Sequence, residues 1–468
     1  MKHPGETNTL FNTLRKSAKP KPVSAIEKLI HDGPDRELCR INVLAFAAKH
    51  KLNEEDAIAA FLHAARLGIF DISWNILCPA CGGFLDSGAT LKTVKQAGYR
   101  CVLCAEDCEP TLDEIVEVTF TISPRVRRIA AHDPETLSFI QYYRQIFWSS
   151  GVDLPNDKAL AKWIKETTLD AVELSAGEKM VLTVQLPEGY VIVFDPVLHM
   201  SQHIEVAGEP SPDSQSLSFI MTRDHAPATI LQMRPGPLRI ALENRLNVRT
   251  LPAIWFVTDA VHELVSKRRP FLTAKRLLTN QTFRDIYRTD TLDVDQRLKI
   301  TSLSFLFTDL KGSTELYERV GDLAAYDLVR AHFRILNEIV AAERGAVVKT
   351  IGDAVMATFP TPDRAMAAAL KMREAVKDLK GDLLLKIGIH EGPCLAVSLN
   401  DRQDYFGRTV NIAARVQGLA TSRSIFATRR VVTDSEASKL LQTNGIAATP
   451  EKRSLRGIAK QVEIFEIP

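Results

Sequence analysis

Absent from this sequence is any long uninterrupted apolar run. No stretch of its 468 residues approaches the roughly 20 apolar residues that a membrane-spanning helix needs. The start, Met1-Lys-His-Pro-Gly-Glu6, lacks the apolar core of a secretion signal, so the cytoplasm is the expected location. Charge of one sign is also absent. Lys and Arg number 59 and Asp and Glu 57, a formal net charge of +2, which gives no pull toward nucleic acid or an acidic membrane. There is no internal repeat and no long low-complexity segment, which argues against solenoid or fibrous architectures. What remains is ordinary for a globular chain: 45% hydrophobic and 25% charged, with length for about three domains at ~150 residues each.

Chemistry concentrates in the last third. Phe305-Leu-Phe-Thr-Asp-Leu-Lys-Gly-Ser-Thr314 sets Asp309 after an apolar run, with a turn at Gly312 and a helix expected from about Glu315, capped by Ser313 or Thr314. Val347-Val-Lys-Thr-Ile-Gly-Asp-Ala-Val-Met-Ala-Thr-Phe359 reads as two short strands joined at Gly352-Asp353. Two carboxylates on strand ends suit a pair of hard divalent cations, and such a pair can assist an in-line displacement at phosphorus. A third stretch, Gln403-Asp-Tyr-Phe-Gly-Arg-Thr-Val-Asn-Ile-Ala-Ala-Arg-Val416, carries Asp404, Asn411 and Arg415. Asn411 and Arg415 lie four apart and share a face if the segment is helical. Such groups can stabilise charge on a transferring phosphoryl group.

On these motifs, residues 299–468 resemble the catalytic domain of class III nucleotidyl cyclases, the adenylate and guanylate cyclase family. The resemblance implies a ferredoxin-like, palm-type fold. It implies that Asp309 and Asp353 hold two Mg²⁺ or Mn²⁺, with the Leu310 carbonyl joining one of them. It implies that Lys349 and Asp404 read the base, that Asn411 and Arg415 serve the ribose and the transition state, and that Arg456, in Leu455-Arg456-Gly457, contacts phosphate. Arg456 stands where the family has Lys, and Pro393 where some members have a phosphate-binding Arg. Adenine offers an amino donor and an acceptor at N1. Lys only donates and a carboxylate only accepts, so Lys349 and Asp404 favour ATP over GTP. The implied reaction converts ATP to cyclic AMP and pyrophosphate. The implied assembly is a homodimer with shared sites. A guanylate or relaxed-specificity cyclase, and a non-catalytic nucleotide- or partner-binding module, are the alternatives.

The remainder reads as regulatory, giving an α+β chain overall. Residues 1–34 read as a flexible arm, with Lys16-Ser-Ala-Lys-Pro-Lys-Pro22 basic and proline-bearing. Residues 35–125 combine helices, one with a capped start at Asn53-Glu-Glu-Asp56, and a zinc ribbon. In the ribbon, Cys78-Pro-Ala-Cys81 and Cys101-Val-Leu-Cys104 are separated by nineteen residues, a spacing that suits a structural, tetrahedral Zn²⁺. Gly82 and Gly83 suit the tight turn of the first knuckle, and disulfides are the rival reading. Cys108 is a spare ligand, while Cys39 and Cys394 read as plain thiols. Residues 126–258 form a helical, then β-rich module, with residues 112–175 largely helical and strands near 180–186, 190–194, 216–221, 228–233 and 238–242. His199 and His203 lack a clear third metal ligand. Residues 259–298 read as a connecting amphipathic helix whose basic side, Lys267-Arg-Arg269 and Lys275-Arg276, faces solvent or a partner.

Overall fold

The structure, a computed structural model, describes residues 4–223, 229–287, 292–293, 295–311, 318–377, 384–399, 402–420, 424–458 and 460–468. The chain divides into two compact units. The first comprises residues 1–89, 93–110 and 117–272, and the second 90–92, 111–116 and 273–468. The expected turn at Gly312 and the helix start near Glu315 lie outside the described residues.

In the first unit the expected flexible arm is instead two helices, Pro4–Ser17 and Pro20–Asp32. Phe11, Leu14, Val23, Ile26 and Ile30 recur at helical spacing and are buried. The prolines that suggested disorder sit in the first turn of the second helix, where a missing N–H costs little. Two further helices, Val43–Lys49 and Glu54–Arg66, are capped by the Asn42 and Asn53 side chains, the second as expected. A three-stranded sheet follows, with Phe70–Leu77 between Phe84–Gly88 and Val116–Ile122.

Val116–Ile122 corrects the largely helical reading of 112–175. Val-Glu-Val-Thr-Phe-Thr-Ile is rich in β-branched and aromatic residues and is buried along nearly its whole length. In that region the only helix longer than a turn or two is Asp157–Thr167, capped by Asn156. The strand also buries Glu117, whose carboxyl accepts from the Ser150 hydroxyl. Burial pushes its pKa up to about 7, opposed by Ser150 and Arg40. A carboxyl raised in the folded state binds its proton more tightly there. It therefore costs stability as pH climbs from the ordinary value near 4.5 to about 7, by ~3 kcal/mol in all. Asp195, pushed up to about 6 by burial, adds a slope of the same sign. Melting curves of Glu117→Gln should show a shallower loss between pH 4.5 and 7 and higher stability than wild type at pH 8. An unchanged slope would rule out this role for Glu117.

The β-rich module has two sheets, one of three strands and one of five, sharing a core that includes Val191, Ile204, Phe219 and Ile240. The expected strands are present, joined by Met200–Val206 and Ala253–Val257. Arg234-Pro-Gly-Pro237 is a corner rather than a hairpin turn. Leu231–Met233 pairs with Met200–Val206 in one sheet, while Gly236–Asn244 pairs with Lys179–Leu186 in the other. Gly236 takes φ +136° there, and a Cβ would lie 2.5 Å from the Ser211 carbonyl oxygen. His203 is bonded on both ring nitrogens, to the Tyr190 hydroxyl and the Val102 carbonyl, as a structural side chain would be.

The single connecting helix is also corrected. Asp259–Ser266 belongs to the first unit; Ala274–Leu278 and Gln281–Ile286 belong to the second. Asn280 breaks the last two apart by capping the second of them. Nor is the basic side simply solvated. Arg268 donates to the Pro79 and Ala80 carbonyls and Arg269 to that of Ser150. In the second unit, Lys275 donates to the Ser302 carbonyl and Arg276 to that of Arg344.

The second unit is built on one sheet. In order, its strands are Ala346–Ile351, Ala354–Phe359, Leu298–Lys311, Leu384–Leu399, Ile425–Thr428, Val462–Ile467 and Thr449–Arg453, and Arg402–Phe406 pairs with the end of Leu384–Leu399. Helices Asp322–Ala342, Pro362–Lys377 and Ser435–Thr443 share a core with the sheet through Leu336, Ala369 and Leu441. Arg408–Gln417 packs into a separate cluster with Phe426, Leu455 and Ile464. At residues 301–302 the central pairing slips, and the Asp113 carboxylate accepts from both backbone N–H groups. No described helix is long and apolar enough to cross a membrane.

Candidate active site and thiol cluster

Asp309 lies near the end of the central strand, paired with Lys386, whose Nζ is 3.8 Å from its carboxylate. Gly352 and Asp353 form the tip of the neighbouring hairpin, with Ile351 paired to Ala354 and Gly352 at φ +62°. Burial, then the Asp353 carboxylate, push the Asp309 pKa upward, against Lys386. The Asp353 Oδ2 is buried and has no hydrogen-bond partner. Two carboxylates that repel each other, one with an orphaned oxygen, form a donor set that a hard cation would satisfy. Leu310 follows Asp309 in the same strand and is buried.

Lys349 and Asp404, 55 residues apart, are joined in an ion pair. Asp404 is nearly buried, and its second oxygen accepts from the Tyr405 N–H at 2.8 Å. Asn411 and Arg415 do lie on one helix, Arg408–Gln417, whose other face buries Thr409, Ile412, Ala413 and Val416. Arg415 reaches the loop that carries Arg456. A Cβ on Gly457, which has φ +72°, would sit 3.5 Å from the Arg415 guanidinium. Arg456 is exposed. Pro393 contributes its carbonyl to the Thr409 hydroxyl.

Two residues escaped the sequence reading. Arg284, on Gln281–Ile286, donates to the Gln403 carbonyl at 2.9 Å and the Val348 carbonyl at 3.3 Å, the residues just before Asp404 and Lys349. Its only sequence signal is a basic residue opposite Phe283 and Ile286. His332 is buried on Asp322–Ala342 with neither ring nitrogen bonded, and burial takes its pKa down to about 4 although Asp353 opposes the shift. Nothing in its local sequence marks it.

In the first unit the two Cys-x-x-Cys turns meet. One sulfur from each of Cys78, Cys81, Cys101 and Cys104 falls within 4.8 Å of the others. Gly82, at φ +69°, closes the first turn by donating to the Cys78 carbonyl, and the Gly83 N–H points to the Cys81 sulfur. The approaches of 3.9 Å between Cys78 and Cys104, and 3.8 Å between Cys81 and Cys101, are far beyond a disulfide bond. Neighbouring S–H groups pull the Cys78 and Cys101 pKa values down, and the same sharing pushes Cys81 and Cys104 up. Four crowded sulfurs cannot all ionise without a cation among them, so the set fits a thiophilic metal. Cys108 is not in the cluster; its thiol points to the Glu106 carbonyl.

The second unit has the fold of a nucleotide-cyclase catalytic domain: residues 296–465 match the sequence model described as the adenylate and guanylate cyclase catalytic domain. Residues 5–285, more than half of the chain, match the model of a family of unknown function (DUF5939), and the chain belongs to that family. Among curated proteins, an adenylate cyclase of Mycosarcoma maydis is 30% identical over 166 residues, covering 30% of this chain and 7% of that one. Adenylate cyclase 2 of Rhizobium meliloti is 33% identical over 132 residues, covering 25% and 36%. The chain thus spans well under two thirds of these relatives. Among solved structures, the adenylyl cyclase CyaB of P. aeruginosa aligns at 20% identity and TM-score 0.33, covering 37% of this chain and 96% of that one. The guanylate cyclase domain of RhGC from Catenaria anguillulae, in complex with GTP, aligns at 20% identity and TM-score 0.33, covering 36% and 97%.

Proposed function

We propose that the protein is an adenylate cyclase that works as a homodimer with shared sites and is regulated by its first unit. The observation that carries the specificity is the Lys349–Asp404 pair. The Lys349 ammonium would donate to adenine N1, and the Asp404 carboxylate would accept from the amino group. Guanine offers the reverse pattern and would leave both groups unmatched.

Asp309, Asp353 and the Leu310 carbonyl would hold two Mg²⁺ or Mn²⁺. When bound, these ions lower the pKa of the attacking hydroxyl and neutralise the leaving pyrophosphate. Asn411 orients the ribose so that its 3′-oxygen faces the α-phosphorus. Arg415 stabilises the charge gathering on the α-phosphate oxygens, and Arg456 takes the terminal phosphates. The 3′-oxygen–phosphorus bond forms, the bond from α-phosphorus to the bridging oxygen breaks, and the hydroxyl proton leaves to solvent.

The test is product formation by the purified chain from ATP or GTP, with Mg²⁺ or Mn²⁺ and Asp309→Ala as control. Cyclic AMP from ATP, lost in the control, is the expected result. Cyclic GMP as the main product would overturn the specificity. No product from the full chain or from residues 273–468 would overturn the activity.

Arg284 sets a further expectation. By tying together the backbone before Lys349 and before Asp404, it fixes the separation of the base-reading pair. Losing a charge-assisted bond of this kind costs ~1.5–3 kcal/mol, so Arg284→Met should lower kcat/KM for ATP by about tenfold or more. If the role is positioning, GTP turnover falls less than ATP turnover, and Arg284→Lys recovers part of the difference. An equal fall for both nucleotides would reduce Arg284 to a folding contact.

A further inference from the structure

The first unit has an open cavity of about 410 Å³, a size that suits a small molecule. Part of its wall is a circuit of four rings. Tyr143 and Trp148 lie 5.3 Å apart, Trp148 and Trp163 6.2 Å, Trp163 and Trp255 5.6 Å, and Trp255 and Tyr143 5.7 Å. These are three of the four tryptophans in the chain. A cluster this rich in indole would be unremarkable as a filled core, but this one borders an empty space.

The Tyr143 hydroxyl and the Trp255 indole N–H sit close enough to interact with each other, while Trp148 Nε1 is buried with no hydrogen-bond partner. Packed cores leave few such atoms, and each costs ~1–3 kcal/mol. Trp163 differs: its Nε1 donates to the Ala260 carbonyl at 3.0 Å.

The charge of the lining narrows the ligand. Glu106 is its one carboxylate, and no Lys or Arg lines the cavity. His203, also in the lining, is held between the Tyr190 hydroxyl and the Val102 carbonyl. Cys81 and Cys104 of the thiol cluster complete that side, and they carry no positive charge of their own. An anion would find no lining side chain of opposite charge. A cation would find a wall built largely of aromatic rings, tryptophan being the strongest partner among them, and a carboxylate beside them.

We propose that this cavity binds an organic cation, an amine or quaternary ammonium on a small apolar body, as the input ligand of the first unit. The cation rests on the aromatic wall and is balanced by Glu106. This proposal does not depend on the reaction of the second unit.

The test uses the full chain and three matched probes. Trimethyl(2-phenylethyl)ammonium is the cation, (3,3-dimethylbutyl)benzene its uncharged isostere, and 3-phenylpropanoate the anion. With three tryptophans in the wall, intrinsic fluorescence reports binding directly, and calorimetry supplies the Kd for the soluble probes. The cation should quench saturably, with a Kd at least about tenfold below that of the isostere. Glu106 is exposed and its loss should not disturb folding, so Glu106→Gln should weaken the cation several-fold and leave the isostere unchanged. Trp163→Leu, at a half-buried position, should abolish the preference for the cation. Equal or tighter binding of the isostere or the anion would overturn the proposal, as would the absence of saturable quenching by the cation.

Discussion

Mixing Asp309→Ala chains with Arg415→Ala chains should return about a quarter of wild-type activity, although each variant alone should retain less than about a thousandth. The argument starts from the division of labour proposed for the site. Asp309 and Asp353 form one group, with the Asp353 carboxylate close enough to push the Asp309 pKa upward. Lys349, paired with Asp404, and Arg415, beside the Gly457 loop, form the other. In a twofold dimer with shared sites, each site takes its carboxylates from one chain and its Arg415 from the other. A mixed dimer then has one intact site and one that lacks both groups. Random association makes about half of the dimers mixed, and each has half of its sites intact, which gives the quarter. Loss of a carboxylate removes metal stabilisation worth several kcal/mol, enough for a thousandfold fall. The measurement is cyclic AMP production by mixtures in which native mass spectrometry has verified mixed dimers. No recovery in such mixtures would place both groups in a site made by one chain.

The candidate site was legible because its chemistry is carried by short, local motifs. Asp309 follows an apolar run that can only be a buried strand, and Gly352-Asp353 is a turn wherever it occurs. Asn411 and Arg415 needed only the helical period. Lys349 and Asp404 were linked only through the family resemblance, and the structure brings the two distant side chains together. Arg284 was not legible, because its role depends on two backbone carbonyls 64 and 119 residues further along. The same limit applied to the fold. The helices at Pro4–Ser17 and Pro20–Asp32 follow from an apolar stripe that local composition masked. Val116–Ile122 is a strand because it has a neighbour in Phe70–Leu77, and the corner at residues 234–237 changes sheets because Lys179–Leu186 waits on the other side. Periodicity reports which face of an element is buried. It does not report against what.

Replacing Cys101 with serine should remove one bound Zn²⁺ per chain and unfold the region around the two Cys-x-x-Cys turns. Four thiols at these approaches have only two stable fates: paired oxidation, or ionisation around a metal. All seven cysteines are unpaired, and the sulfur separations in the cluster exclude disulfide bonds. The turns have some other support: Arg268 donates to the Pro79 and Ala80 carbonyls, and Ser201 and His203 donate to that of Val102. The strands beside the second knuckle, Tyr99–Cys101 and Glu106–Cys108, are three residues each and pair only with one another among the described strands. A two-stranded hairpin is marginal in water on its own, so the cluster adds to the few contacts that hold it. Structural Zn²⁺ contributes ~10 kcal/mol or more in small domains, comparable to the whole stability of many proteins at ~5–15 kcal/mol. Serine has no thiolate, and three remaining sulfurs leave the tetrahedron open. Metal analysis should therefore give one Zn²⁺ in the wild type and much less than one in Cys101→Ser. Wild-type melting should fall on strong chelation and recover when Zn²⁺ is restored. Binding should also fail in acid, since the thiolates must lose their protons to ligate. Cys39→Ser is the control: that thiol is not one of the four and points to the Gln145 carbonyl, so zinc content should not change. A purified wild-type chain that holds no zinc and melts at the same temperature with or without it would end the metal reading. The cluster would then have to be explained as four neutral thiols packed for shape alone.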